Sequence, residues 1–231
     1  MARIQQFDSI SSQIRETLRA DILSGEWAPG TKLQVAQLSK RYETSTTVLR
    51  EALTRLAGAQ LVSFVPNRGF FVAELTLDEL HDLTELRCRL EGFGVELAIA
   101  RGDLAWESEL IAAHHRLEHT PRRRPEDPHR ISPEWLAVHQ EFHAKILAPC
   151  QIAPLLEMAA TLADATVLYR QWTAPSQAAG SRDIEAEHRA ILEAVLARDV
   201  DAATQRLREH YGRTTTVIEE SLAASELPTQ P

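Results

Sequence analysis

Apolar residues recur at helical spacing from the start of the chain: Ile10, Ile14, Leu18 and Ile22 fall on one face, with Asp8 or Ser9 placed to cap the helix. The series stops in SGEWAPG, where Gly25, Pro29 and Gly30 spell a loop. VAQLSKRY then predicts a short helix. TSTTVLREALTRLAGA predicts another, with Ser45 as N-cap and Val48, Leu49, Ala52, Leu53 and Leu56 on its buried face. LVSFV and FFVAEL, rich in β-forming residues, flank the turn PNRG and predict a hairpin.

Past residue 75 only the helical period remains, over residues 77–102, 104–120, 133–147, 152–172, 183–199 and 200–222. PRRRPEDPH, with three prolines, interrupts it and reads as a solvated loop exposing Arg122, Arg123 and Arg124. The fold class is therefore mainly α: a head of three helices and a two-stranded wing over residues 5–75, an all-helical body over 76–222, and a disordered tail over 223–231.

Charge sharpens this division. The net charge is −8, but residues 1–75 sum to +2 and residues 76–231 to −10, so the head is the part suited to a polyanion. No apolar run approaches the roughly 18 to 20 residues of a membrane span, and the N-terminus lacks a signal-peptide core, so a cytoplasmic location is expected. Cys88 and Cys150 match no disulfide framework and no thiolate zinc pattern.

Three helices followed by a wing is the order of a winged helix-turn-helix, whose second paired helix enters the major groove of DNA while the wing reaches the adjacent backbone. The candidate contacts are Ser45, Thr46, Thr47 and Arg50 on the recognition helix, and Asn67, Arg68 and Gly69 at the wing tip. Hydroxyls and N–H groups at a helix start suit phosphate, and arginine suits a guanine edge or a phosphate. The bland alternative makes Ser45 a cap only and pairs Arg50 with Glu51 or Glu43.

These residues resemble the DNA-binding domain of GntR-type bacterial regulators. The resemblance rests on Pro29-Gly30, Leu33, Leu38, Ser45, Arg50-Glu51-Ala52-Leu53, Leu56, Leu61-Val62 and Asn67-Arg68-Gly69. The departures are Thr46 where that family usually has Arg, Val48 where it has Pro, and Val35 where it has Glu. A lost base contact is worth about 1–3 kcal/mol, so a different operator or weaker binding is implied.

All nine histidines lie beyond the head. His139 and His143, four apart, share one helix face, and His115 and His119 form a competing pair beside His114. His188 and His210 sit on later predicted helices, and side chains converging from neighbouring helices are how bundles build metal sites. Catalysis is not expected: there is no HExxH, and Glu141 is offset from His139 by two residues, about 200° around the helix.

TELRCRLEGFGVELA, HQEFHAKIL and EAEHRAILEAVLARDVDAATQRLREHY resemble the FadR-like (FCD) effector domain, an antiparallel helical bundle. In many of its members a metal is held by Asp and His in a D-x-x-F-H pattern plus two later histidines. By position His143, His188 and His210 match the histidines, and His139 stands where the Asp belongs. The resemblance thus implies a metal site of His139, His143, His188 and His210, or of three histidines if His139 turns away. Replacing carboxylate by imidazole raises the site's charge by one and favours Zn²⁺, then Ni²⁺, over hard ions.

The resemblance further implies a palindromic double-stranded operator, a homodimer, repression, and a small organic-acid effector near the metal. Arg87 matches a recurring pocket arginine, although a helical pair with Glu91 on the exposed side is the alternative; Arg170 is expected outside the pocket. A regulator sensing the ion itself is the competing reading, and a metal-dependent hydrolase the remote one.

Overall fold

The computed structural model describes residues 2–173 and 182–224, and the chain divides into two units between Thr76 and Leu77. The first unit contains α1 (Ala2–Leu23), β1 (Lys32–Leu33), α2 (Val35–Arg41), α3 (Thr46–Gly58), β2 (Val62–Val65) and β3 (Gly69–Val72). Leu18 and Ile22 of α1 and Leu49, Leu53 and Leu56 of α3 are buried, and the two helices pack on each other. Each such leucine or isoleucine contributes about 1.5–3 kcal/mol of burial. The five apolar positions expected on α3 are the five found buried there.

Two local expectations are corrected. Helix α1 begins at Ala2 and runs through Asp8 and Ser9, so neither caps it; Gln5 and Gln6 are competent helix formers that an apolar pattern cannot register. The wing is not a bare hairpin: β1 pairs antiparallel with β3, giving the order β1-β3-β2. Two residues are too few to show alternation. The pairing is extended by Gly30 N–H to the Val72 carbonyl (3.0 Å) and Val72 N–H to Thr31 (2.9 Å).

At the wing tip the Val65 carbonyl accepts from Arg68 N–H (3.0 Å). Pro66 supplies the second position of this turn and Asn67, at φ +62°, the third. Proline followed by a left-handed residue is what a type II turn requires, and asparagine tolerates that region better than most side chains.

The second unit is all-helical among its described residues: α4 (Leu77–Arg101), α5 (Leu104–His119), α6 (Pro133–Leu147), a 3-10 turn (Ala148–Cys150), α7 (Ala153–Thr173), α8 (Ile184–Leu196) and α9 (Val200–Ala224). Helix starts are set by side chains: Asp103, Ser132 and Asp183 accept the N–H of Trp106 (2.9 Å), Trp135 (3.3 Å) and Ala186 (2.9 Å). Gly94 lets α4 approach closely, since a Cβ there would lie 3.0 Å from Leu147 and 3.1 Å from Leu155. Leu80, Leu110, Phe142, Ile146, Ile191 and Val195 fill the core.

The arginine-rich break is also not a freely solvated linker. Arg123 bridges Ile131, Ser132 N–H bonds the Arg122 carbonyl (2.9 Å), and the Arg122 guanidinium lies 5.6 Å from the Trp135 ring. Its prolines exclude helix, and the loop closes through Arg124 N–H to the Arg130 carbonyl (3.2 Å) and Arg130 N–H to the Asp127 carbonyl (3.0 Å). The expected tail is shortened by α9, which reaches Ala224; residues 225–231 lie outside the described residues. No described helix is long and apolar enough to cross a membrane.

Candidate metal centre and nucleic-acid interface

In the head, Ser45 caps α3, its Oγ accepting from Val48 N–H (3.2 Å). Ser45, Thr46, Thr47 and Arg50 are all exposed at the start of that helix. Glu51 pairs with Arg55 (2.7 Å), and among the described residues Arg50 makes no ion pair. The pairing expected as an alternative for Arg50 is therefore absent among them. Asn67 and Arg68 are exposed at the wing tip, Gly69 is half-buried at φ +100°, and the Arg68 guanidinium lies 5.4 Å from the Phe71 ring. Lys32 approaches the other side of the wing, 5.9 Å from Phe71. That cation comes with β1, the strand the sequence pattern did not show.

In the body, α6 carries His139 and His143 one turn apart, α8 carries His188 and α9 carries His210. One ligand nitrogen from each of these four lies within 4.8 Å of the others, and every ring is buried, at 2–6% exposure. His139 does not turn away. The competing pair stays outside: His115 and His119 are exposed and packed on each other at 4.1 Å, while buried His114 packs edge-on against Phe142 (5.5 Å).

Burial holds the pKa of His139, His143 and His188 well below the ordinary histidine value, and nearby cations push the same way. His210 falls to about 4, from burial and Arg182, against the opposing pull of Glu187. All four are thus neutral imidazoles near pH 7, the form that ligates metal. Two tautomers are assigned by the surrounding bonds. Tyr211 donates its hydroxyl proton to Glu91, so its oxygen accepts from His143 Nδ1–H (3.2 Å). Glu187 Oε2 accepts from His210 Nδ1–H (2.8 Å). Each ring therefore keeps its lone pair on Nε2, and a carboxylate behind a ligating histidine raises its basicity.

His143 Nε2, His188 Nε2 and His139 Nδ1 are shielded from solvent with no hydrogen-bond partner among the described residues. Buried polar atoms are rarely left this way, and a metal ion is a group that would satisfy them. The donor set fits a borderline ion: four nitrogens, no carboxylate, which suits Zn²⁺, Ni²⁺, Co²⁺ or Cu²⁺ better than Mg²⁺ or Mn²⁺.

Two supporting pairs flank the cluster. Glu187 is bound by Arg182 through Nε and Nη2, one edge of the guanidinium, and although burial raises its pKa, the bonds from Arg182 and His210 bring it down to about 2. Arg87 pairs with Glu91 at 2.8 Å, both side chains at most 5% exposed, and the guanidinium lies 4.1 Å from the Tyr211 ring. The helical pair with Glu91 that stood as the alternative exists, but it is buried. Arg87 thereby stands behind His143, through Glu91 and Tyr211. Arg170, expected outside the pocket, instead sends Nη1 to within 3.4 Å of His139 Nε2. Helical position alone left its direction open; the cluster is on the side where α7 meets α6. Tyr211, Glu91 and Arg182 carried no signal beyond adjacency to other residues of interest.

Residues 10–72 match the family "Bacterial regulatory proteins, gntR family", and residues 82–213 match the FCD domain. A relative from Escherichia coli (strain K12), "HTH-type transcriptional repressor GlaR", is 33% identical over 90% of this chain and 95% of its own. "Uncharacterized HTH-type transcriptional regulator BphR" of Paraburkholderia xenovorans (strain LB400) is 32% identical over 88% of this chain and 82% of its own. Among solved structures, E. coli McbR/YncC shares the fold with a TM-score of 0.77 at 21% identity, covering 91% of this chain and 97% of that one. With a winged head exposing Arg50 and a helical body enclosing four histidines, the chain belongs to the GntR family of DNA-binding transcription regulators, in the branch with an FCD C-terminal domain, and is not an enzyme.

Proposed function

We propose that this regulator is a cytoplasmic repressor that binds a palindromic operator as a homodimer and senses a small organic acid beside a divalent metal, Zn²⁺ first and Ni²⁺ second. The observation that carries the reading is the buried four-histidine cluster with three open ring nitrogens. Its ligands are His139, His143, His188 and His210. Arg87 serves the effector side, holding Glu91 and Tyr211 and through them the ring of His143. The acid changes operator affinity by the difference in its binding to two states of the dimer, typically about 1–3 kcal/mol.

Metal content of untagged protein, by plasma mass spectrometry, is the test. About one zinc per chain is expected in wild type and none in His143→Ala. An equal content in both, or no uptake by wild type after incubation with Zn²⁺ and Ni²⁺, removes the metal from the reading. Should zinc alone shift operator affinity, with no acid present, the ion itself is the signal.

For the head, Ser45, Thr46 and Thr47 are assigned to phosphate, Arg50 to a base edge or phosphate, and Asn67, Arg68 and Gly69 to the backbone beside the wing. Arg50→Ala is expected to weaken operator binding by about 1–3 kcal/mol per half-site, read by fluorescence anisotropy. A uniform loss across operator variants marks a phosphate contact; relaxed preference at one position marks a base contact.

A further inference from the structure

Of the three arginines nearest the cluster, two are neutralised by a carboxylate: Arg87 by Glu91 and Arg182 by Glu187. Arg170 is not. Its Nε is shielded from solvent with no partner, and its one hydrogen-bond partner among the described residues is a neutral ring nitrogen, His139 Nε2. Residues 174–181, the next along the chain, contain no Asp or Glu.

The contact with His139 is also incompatible with a loaded cluster. A neutral imidazole has one N–H and one lone pair. At present Nε2 accepts from Arg170, which places the proton on Nδ1. If Nδ1 ligates the ion, that proton moves to Nε2 and meets the Arg170 N–H donor to donor. If Nε2 ligates, its lone pair is consumed. On either nitrogen, loading breaks the Arg170–His139 hydrogen bond and leaves the guanidinium facing a site that has gained two positive charges.

The geometry points to Arg170 as the anion anchor of this site, released from His139 when the histidines take up metal and then binding a carboxylate of the effector. This rests on the metal-and-acid reading above, and it makes metal a precondition for full acid affinity. Arg170, rather than the neutralised Arg87, is then the residue that contacts the acid. A guanidinium fork donates to both oxygens of one carboxylate, and each oxygen keeps a second lone pair, so a single carboxylate can meet the fork and the ion together.

The test uses the full chain, metal-free and zinc-loaded, with propionate as probe and propionamide as its uncharged match. Thermal unfolding and calorimetric titration are read for wild type, Arg170→Gln and Arg170→Lys. Zinc loading is expected to strengthen propionate binding by tenfold or more in wild type, with no response to propionamide. Arg170→Gln is expected to bind the same zinc, lose at least tenfold in propionate affinity, and melt no lower than wild type, because a half-buried charge with no carboxylate partner among the described residues has been removed. Arg170→Lys is expected to keep part of the affinity. Equal propionate affinity in wild type and Arg170→Gln overturns the assignment, as does a large drop in the melting point of Arg170→Gln without acid. If wild type takes up no zinc, the metal reading fails alone: a propionate response of metal-free protein that Arg170→Gln abolishes still supports the anchor, and its absence overturns it.

Discussion

Glu91→Ala is expected to lower the stability of the helical body by about 3–5 kcal/mol, which is much of what a domain of this kind possesses. Arg87 and Glu91 are buried together, and Glu91 also accepts the hydroxyl proton of Tyr211. Removing the carboxylate strands a guanidinium among Tyr211, Thr166 and core side chains, with one neutral hydroxyl 3.3 Å away as remaining acceptor. The loss is read as a shift of the urea midpoint by circular dichroism. The double variant Arg87→Met with Glu91→Leu is expected to recover most of it, because a buried pair contributes little net stability while half a pair is costly. That variant separates two roles. If it folds and binds zinc but no longer responds to acid, Arg87 acts on the effector; if the acid response persists, Arg87 is structural. A Glu91→Ala protein as stable as wild type would mean that Arg87 reaches water on losing its partner.

Glu187→Ala is expected to act on stability and on metal at once. Glu187 receives Nε and Nη2 of Arg182, the Nδ1–H of His210, and Arg213 at 3.3 Å. Without it, Arg182 keeps only neutral acceptors, the His210 carbonyl and Thr214 hydroxyl, both at 2.8 Å. A penalty of about 3–5 kcal/mol follows from the unpaired buried cation. His210 also loses the bond that fixes its tautomer and ring plane, and such losses weaken metal binding by about 10- to 100-fold. Glu187→Gln retains the acceptor for His210 but not the charge for Arg182. It is expected to keep most of the metal affinity while still losing stability, in competition titrations with a zinc chelator. If Gln and Ala weaken metal equally, orientation of His210 is not the function of Glu187.

How much of this was legible in the chain depended on how local each feature is. The α3 face and Ser45 cap are written in spacings of three and four residues, and the structure contains both. His139 and His143 are one turn apart, so their shared face needed no tertiary information. The convergence of His188 and His210 on them did, and only the family pattern supplied it. What stayed hidden is non-local. Tyr211 meets Glu91 across 120 residues, and Arg170 meets His139 across 31; no periodicity encodes such a meeting. At Arg87 the spacing left the choice open: an Arg and a Glu four apart can form a solvated helix face, and here they are at most 5% exposed. Strand β1 failed for the opposite reason, being too short to carry a pattern.

The indole of Trp135 lies flat against His139, with centroids 4.6 Å apart and planes 25° from parallel. That stacking gives the protein an optical readout of its own chemistry. A change in charge or coordination at His139 falls directly on the excited state of a neighbouring indole, and an open-shell ion such as Ni²⁺ or Cu²⁺ would quench it where closed-shell Zn²⁺ would not. Trp27, Trp106 and Trp172 emit as well, so the signal is the difference between metal-free and loaded protein. Occupancy of the histidine cluster and the identity of the ion in it therefore become visible in the emission of the unmodified chain, without dye, tag or label.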